Sequence, residues 1–174
     1  MSDDSYIPAS NRWNRVMLHQ LFVDGPRNTD QWTDWANLTD DELAAVQRFI
    51  HSILHKQDLA GSNKPSHTTG TLHAINDPKV AVYKDFGAWH YHCGPRYGRK
   101  GHVPTEWWLP ANAQGDQSTE VIHYSRKQVN QPAGKFAITI VSFSRQHVPF
   151  PDGNDYRNPM GERLRTLGNS IDLP

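Results

Sequence analysis

The chain has 174 residues, and its 18 Lys+Arg balance its 18 Asp+Glu, a length that suits one compact domain with an extension and leaves no room for a second full domain. A hydrophobic fraction of 36% with a mean hydropathy of −0.74 argues against a membrane partner, because no run approaches the ~20 apolar residues that a span needs, while six Trp, six Tyr and six Phe supply bulk for a core. The single Cys93 excludes an internal disulfide and a multi-cysteine zinc site, and the start, MSDDSYIPAS, lacks the basic-then-apolar pattern of a signal peptide, so the expectation is a cytoplasmic protein.

The first ten residues read as a tail. Trp13, Val16, Met17 and Leu21 then follow helical spacing until Asp24-Gly25-Pro26 stops it. Trp32 and Trp35 fit either a helical turn or a cover over the edge of the core. The clearest helix starts at Thr39, with Glu42 completing a capping box and Leu43, Val46, Ile50, Ile53 and Leu54 forming one apolar stripe. Residues 60–70, AGSNKPSHTTG, have loop composition.

From Lys79 the period shifts toward two. Val80, Val82 and Tyr83 predict a strand that turns near Asp85–Gly87 into a second strand, Ala88–Cys93. Residues 94–118 make a connection longer than compact domains usually hold, carrying Arg96, Tyr97, Arg99, Lys100, Trp107 and Trp108. Further strands are predicted over 121–126 and 138–147, then a loop, FPDGNDYRNP, and a short helix through Met160, Leu164 and Leu167. The sum is an α+β domain with an antiparallel sheet of about four strands, helices on one face and a short C-terminal helix. Residues 1–37 read as a helical extension packed on a domain spanning 38–174.

Alternation along the three later strands separates two faces. Trp89, Tyr91, Cys93, Ile122, Tyr124, Ile138 and Ile140 share the parity suited to packing under helices. The other parity collects His90, His92, His123, Ser125, Arg145 and His147, together with Val121, Val141 and Phe143. A bulge in any strand would shift the phase of everything beyond it.

His90 and His92 stand two strand rises apart, each roughly 3.3 Å, close enough to share a substrate or a metal ion. Imidazole titrates near pH 6.5, so one ring can take a proton while another returns one, the division of labour that RNA phosphodiester cleavage requires. Arg126, Lys127 or Arg145 would neutralise the charge that develops at phosphorus. The loop residues Arg96, Tyr97, Arg99 and Lys100 would hold phosphates and stack an unpaired base, with Lys127 beside them; ordinary exposed charge is the bland alternative. The scheme needs neither metal nor cofactor. Charge is unevenly placed: residues 1–78 hold six Lys+Arg against ten Asp+Glu, and residues 79–174 hold twelve against eight.

In order, LTDDEL at the helix start, DFGAWHYHCG, STEVIHYSR and AITIVSFSRQHVPFP before a short helix resemble the YafO-type toxins of the RelE-like group, over about residues 38–168. The resemblance implies a small α+β toxin domain, mRNA cleavage on the translating ribosome, and neutralisation by a cognate antitoxin. It assigns site positions to His90, His92, Tyr124 and His147. The N-terminal segment through Asn37, the long loop before His123 and the neutral charge depart from that pattern. Two other classes stay open: a non-catalytic module that occupies a ribosomal or nucleic-acid enzyme site, and a metalloenzyme ligated by His90, His92, His123 or His147, ranked last for want of a carboxylate partner.

Overall fold

Thr39 begins the longest helix as the capping box predicts: its hydroxyl accepts from the Glu42 amide, and Glu42 Oε2 accepts from the Thr39 amide at 2.8 Å. The structure is a computed structural model that describes residues 13–57, 59, 63–68, 76–94 and 119–173. Its helices are α1 (Gln20–Asp24), α2 (Asp40–Leu54), α3 (Ala81–Asp85) and α4 (Met160–Arg165). Its strands are β1 (Arg15–His19), β2 (Asn63–Pro65), β3 (Ala88–His92), β4 (Val121–Ser125), β5 (Ala137–Ser144) and β6 (Ser170–Asp172).

The described strands form one sheet in the order β2-β3-β4-β5-β1-β6. β1 runs parallel to β5, while the other neighbours are antiparallel. The α+β class agrees with the sequence reading; the sheet is mixed and six-stranded where an antiparallel sheet of about four strands was expected. Both edge strands are three residues long, and β2 ends in Pro65, features that blunt an edge against further pairing.

Both faces of the sheet carry a core. Ala45, Val46, Phe49 and Ile53 of α2 pack against Val16, Leu18, Trp89, Tyr91, Ile122, Tyr124, Ile138 and Ile140. The stripe of α2 thus centres on Ala45 and Phe49, with Leu43, Ile50 and Leu54 at its margins. On the opposite face Val80, Val82, Tyr83, Met160, Leu164 and Trp32 gather over Ala88 and Val141.

Two expected elements are corrected. The predicted helix through Trp13, Val16, Met17 and Leu21 is strand β1 followed by the single turn α1. Val16 and Leu18 are buried on one face at a period of two, and pairing of Arg15–Leu18 with Ala137–Ile140 supplies the partner that helical spacing could not anticipate. β1 therefore lies inside the sheet, between β5 and β6. The predicted strand through Val80, Val82 and Tyr83 is a 3-10 turn, Pro78–Val80, leading into α3. Asp77 caps it by accepting from the Lys79 amide at 2.9 Å with Pro78 behind it, a helix-start signal that outweighs the alternation. The turn into β3 stands where it was expected, with Gly87 at φ +56.

A bulge sits between β4 and β5. His123 faces Ser142 but Tyr124 faces Ile140, so Val141 is the extra residue. Its carbonyl accepts from buried Arg163 Nη1 at 2.8 Å, and Arg163 Nη2 lies 2.8 Å from Asp34 Oδ1, so the bulge is held by an ion pair closed to solvent.

Candidate functional site: a cluster of four histidines

On β3, alternation sends Trp89 and Tyr91 under α2 and His90 and His92 to the other face. Cross-strand register adds His123, directly opposite His90, with Ser142 beyond it. His147 arrives differently. β5 ends at Ser144, and the chain folds back with the Gln146 amide donating to Asp30 O and the His147 amide donating to Thr119 O, both at 2.8 Å.

That loop lays the His147 ring against the other three. Its centroid is 4.7 Å from His90 in a near-parallel stack, 5.3 Å from His92 edge-on, and 6.2 Å from His123. His90 and His92 lie 5.4 Å apart. Together the rings line a cavity of about 320 Å³ with Trp32, Lys64, Ser66, Tyr83 and Phe150.

Hydrogen bonds orient His90 and His123. Ser66 Oγ is 3.1 Å from His90 Nδ1. Ser144 Oγ donates to the Gln31 carbonyl, so its one proton is committed and it accepts from His123 Nε2 at 2.8 Å. His123 is thereby fixed as the tautomer protonated on Nε2. Tyr83 Oη donates to Pro151 O at 2.5 Å, anchoring the rim where Phe150 holds a left-handed φ of 50°. Such a backbone is uncommon for a bulky residue and is found where a site over-determines it.

Burial holds His90, His123 and His147 neutral. His90 lies well below the usual imidazole range, first by burial and then by repulsion from His147, His92, His123 and Lys64. His123 is likewise depressed by burial and then by His147 and His92. His147 is pushed down to about 4 by burial, with His92 and Lys64 adding to it. At pH 7 these three rings offer lone pairs, so an imidazolium arises on one of them only when it takes a proton from a ligand.

The four histidines picked out from the sequence meet here, but Arg126, Lys127 and Arg145, the described cations picked out with them, do not. Tyr124 shares the parity of Trp89 and packs under α2, where its hydroxyl donates to Asn63 Oδ1 at 2.6 Å. Arg126 lies on that same side, its guanidinium 3.2 Å from the Trp89 ring centre and 4.5 Å from that of Trp13, donating to Tyr124 Oη at 3.2 Å. Arg145 is carried to the α2 face by the bulge: its Nε donates to Glu42 Oε1 at 2.6 Å and its Nη2 to Asn37 O at 2.9 Å. Phe143 moves to that face with it. Lys127 is exposed beside Asp85 O and the Phe86 ring. Arg96, Tyr97, Arg99 and Lys100 lie outside the described residues.

Lys64, Ser66 and Ser144 carry no motif in the sequence. Lys64 and Ser66 sit in and just after the three-residue β2, inside a stretch whose composition reads as loop, and only pairing of Lys64 with His90 brings them to the site. No family model matches the chain, and no curated protein or solved structure shows a significant similarity to it.

Proposed function

We propose that this chain is the toxin of a bacterial toxin–antitoxin pair, a cytoplasmic endoribonuclease that cleaves mRNA on the ribosome by metal-independent acid–base chemistry and is neutralised by a cognate antitoxin. The observation that carries the reading is the meeting of His90, His92, His123 and His147 from three chain segments around one cavity. Neutral imidazoles suit the first step: one removes the 2′-hydroxyl proton, O2′ bonds to the adjacent phosphorus, and the P–O5′ bond breaks. The proton just taken is delivered to the departing O5′, leaving a 2′,3′-cyclic phosphate and a 5′-hydroxyl. Nothing else is consumed.

His147, the least buried of the four rings, is the base of this scheme. A bound phosphodiester places negative charge beside it and raises its proton affinity toward neutrality, where general bases work best. Lys64, on the same cavity wall, replaces the arginines as the cation over the developing charge. Tyr124, Arg126 and Arg145 take structural roles.

Expression of the wild-type chain is expected to arrest growth and yield RNA fragments with cyclic phosphate ends. His90→Ala, His92→Ala and His147→Ala should each lower cleavage about 10²-fold or more with the folded state retained by circular dichroism. Lys64→Ala should lower it while leaving stability unchanged. Full cleavage in all three histidine variants would end the assignment.

A further inference from the structure

We infer that His90, His92 and His147 form a binding site for one divalent transition-metal ion of the zinc class, with a coordination position open to the cavity. One nitrogen from each ring can be chosen so that all three lie within 4.8 Å of one another. Two come from alternate positions of β3, and the third from a loop pinned at Thr119. Three imidazoles select zinc, cobalt, nickel or copper over magnesium and calcium, which prefer oxygen ligands.

The surroundings supply what such a site needs beyond its ligands. Ser66 Oγ stands 3.1 Å from His90 Nδ1; a ring donating there presents its Nε2 lone pair, the usual outer support of a metal-bound imidazole. His147 Nδ1 is buried and has no hydrogen-bond partner among the described residues. His123 is outside the set, and its Nε2 is engaged by Ser144. Lys64 lines the same cavity and bears electrostatically on both His90 and His147, so the open position favours hydroxide or another anionic oxygen. Three protein ligands with one position free mark a site that takes an exogenous ligand rather than a closed structural one.

The site does not depend on the ribonuclease reading. Where both hold, zinc and cleavage exclude each other, since a lone pair bound to the ion cannot accept a proton.

Full-length protein stripped with a chelator and titrated with Zn²⁺ by calorimetry is expected to bind one ion, and Co²⁺ should give the intense visible bands of four-coordinate cobalt. His147→Gln and His92→Ala should weaken binding at least 100-fold, and Ser66→Ala about tenfold. His51→Ala with His55→Ala, removing the stacked pair on the exposed side of α2, should change nothing. His147 and Ser66 lie outside the inner strands, which keeps the test valid if a β3 variant fails to fold. No binding by the wild type, or binding that survives His147→Gln or disappears with the His51/His55 double variant, would overturn the inference. RNA cleavage measured alongside separates the two readings: cleavage in chelator with no zinc uptake removes the metal site alone, and zinc uptake with cleavage lost in chelator removes the metal-free mechanism alone.

Discussion

Arg145 shows how one residue changes role when its environment is known. Its guanidinium bridges Glu42 and Asn37, with side-chain exposures of 15% for Arg145 and 1% for Glu42. Truncation leaves the Glu42 carboxylate inside the protein without its cation, although the Thr39 amide still donates to it. Arg145→Ala should therefore cost about 2–3 kcal/mol in urea unfolding, and the cost should shrink in the presence of Glu42→Gln. Cleavage per folded molecule should not change. A stable Arg145→Ala protein with reduced turnover would return Arg145 to the phosphate. At this scale His90, His92 and His123 were legible, because an H-x-H pair on a strand and a cross-strand neighbour depend only on parity, whereas His147 and Arg145 lie beyond the extra residue Val141, and His147 reaches the cavity from a loop after the strand has ended. The place of Arg126 was not legible for another reason: its partners Trp13 and Trp89 are 76 positions apart, and no local pattern reports a cation held between them.

Elements divide along the same line. α2 was legible because the capping box, the acidic first turn and the apolar stripe agree locally. β3, β4 and most of β5 were legible from alternation. β1, β2 and β6 were not, since each owes its extended state to a distant partner, and β2 and β6 are only three residues long. The bulge at Val141 belongs to this second group and has the largest consequence, keeping Ser142 with the histidines while turning Phe143 into the opposite core. Arg163 from α4 secures it through the Val141 carbonyl and through Asp34, with exposures of 3% for Arg163 and 0% for Asp34. Arg163→Ala removes the carbonyl's donor and leaves the buried carboxylate without its cation, with only the Arg27 amide among the described residues donating to it, and should destabilise by about 3–5 kcal/mol, seen as a lower urea midpoint. The exposed pair Arg157–Asp155 serves as the control, and Arg157→Ala should shift the midpoint by less than about 0.5 kcal/mol. Equal shifts for the two variants would show that Arg163 does not hold the bulge.

Among the described residues of the whole molecule the acidic and basic halves of the chain do not form separate surfaces. β1 from the first half lies between β5 and β6 of the second, and Arg15–Asp172, Arg145–Glu42 and Arg163–Asp34 each join one half to the other. What the sheet concentrates is neutral histidine. His19, His90, His123 and His147 are all held below the ordinary imidazole value, with burial the leading cause in each. In the unfolded chain these groups titrate near pH 6.5. Below that value the unfolded state binds more protons than the folded one, so acid must weaken the fold. Their contribution is complete above about pH 6.5 and is lost as pH falls, at up to about 1.4 kcal/mol per pH unit for each ring that stays neutral; for His147 the loss ends near its own value of about 4. Urea midpoints of chelator-treated protein should be level between pH 8 and 7 and fall steeply from pH 6 to 5. His147→Gln should flatten that fall, because glutamine takes up no proton on unfolding. Saturating Zn²⁺ should raise the midpoint at pH 7.5 and lose that effect toward pH 5, where protons compete for the same nitrogens. A midpoint that stays constant down to pH 5 would mean that the four rings are not neutral in the fold, and the picture of a lone-pair-rich cavity would fall with it.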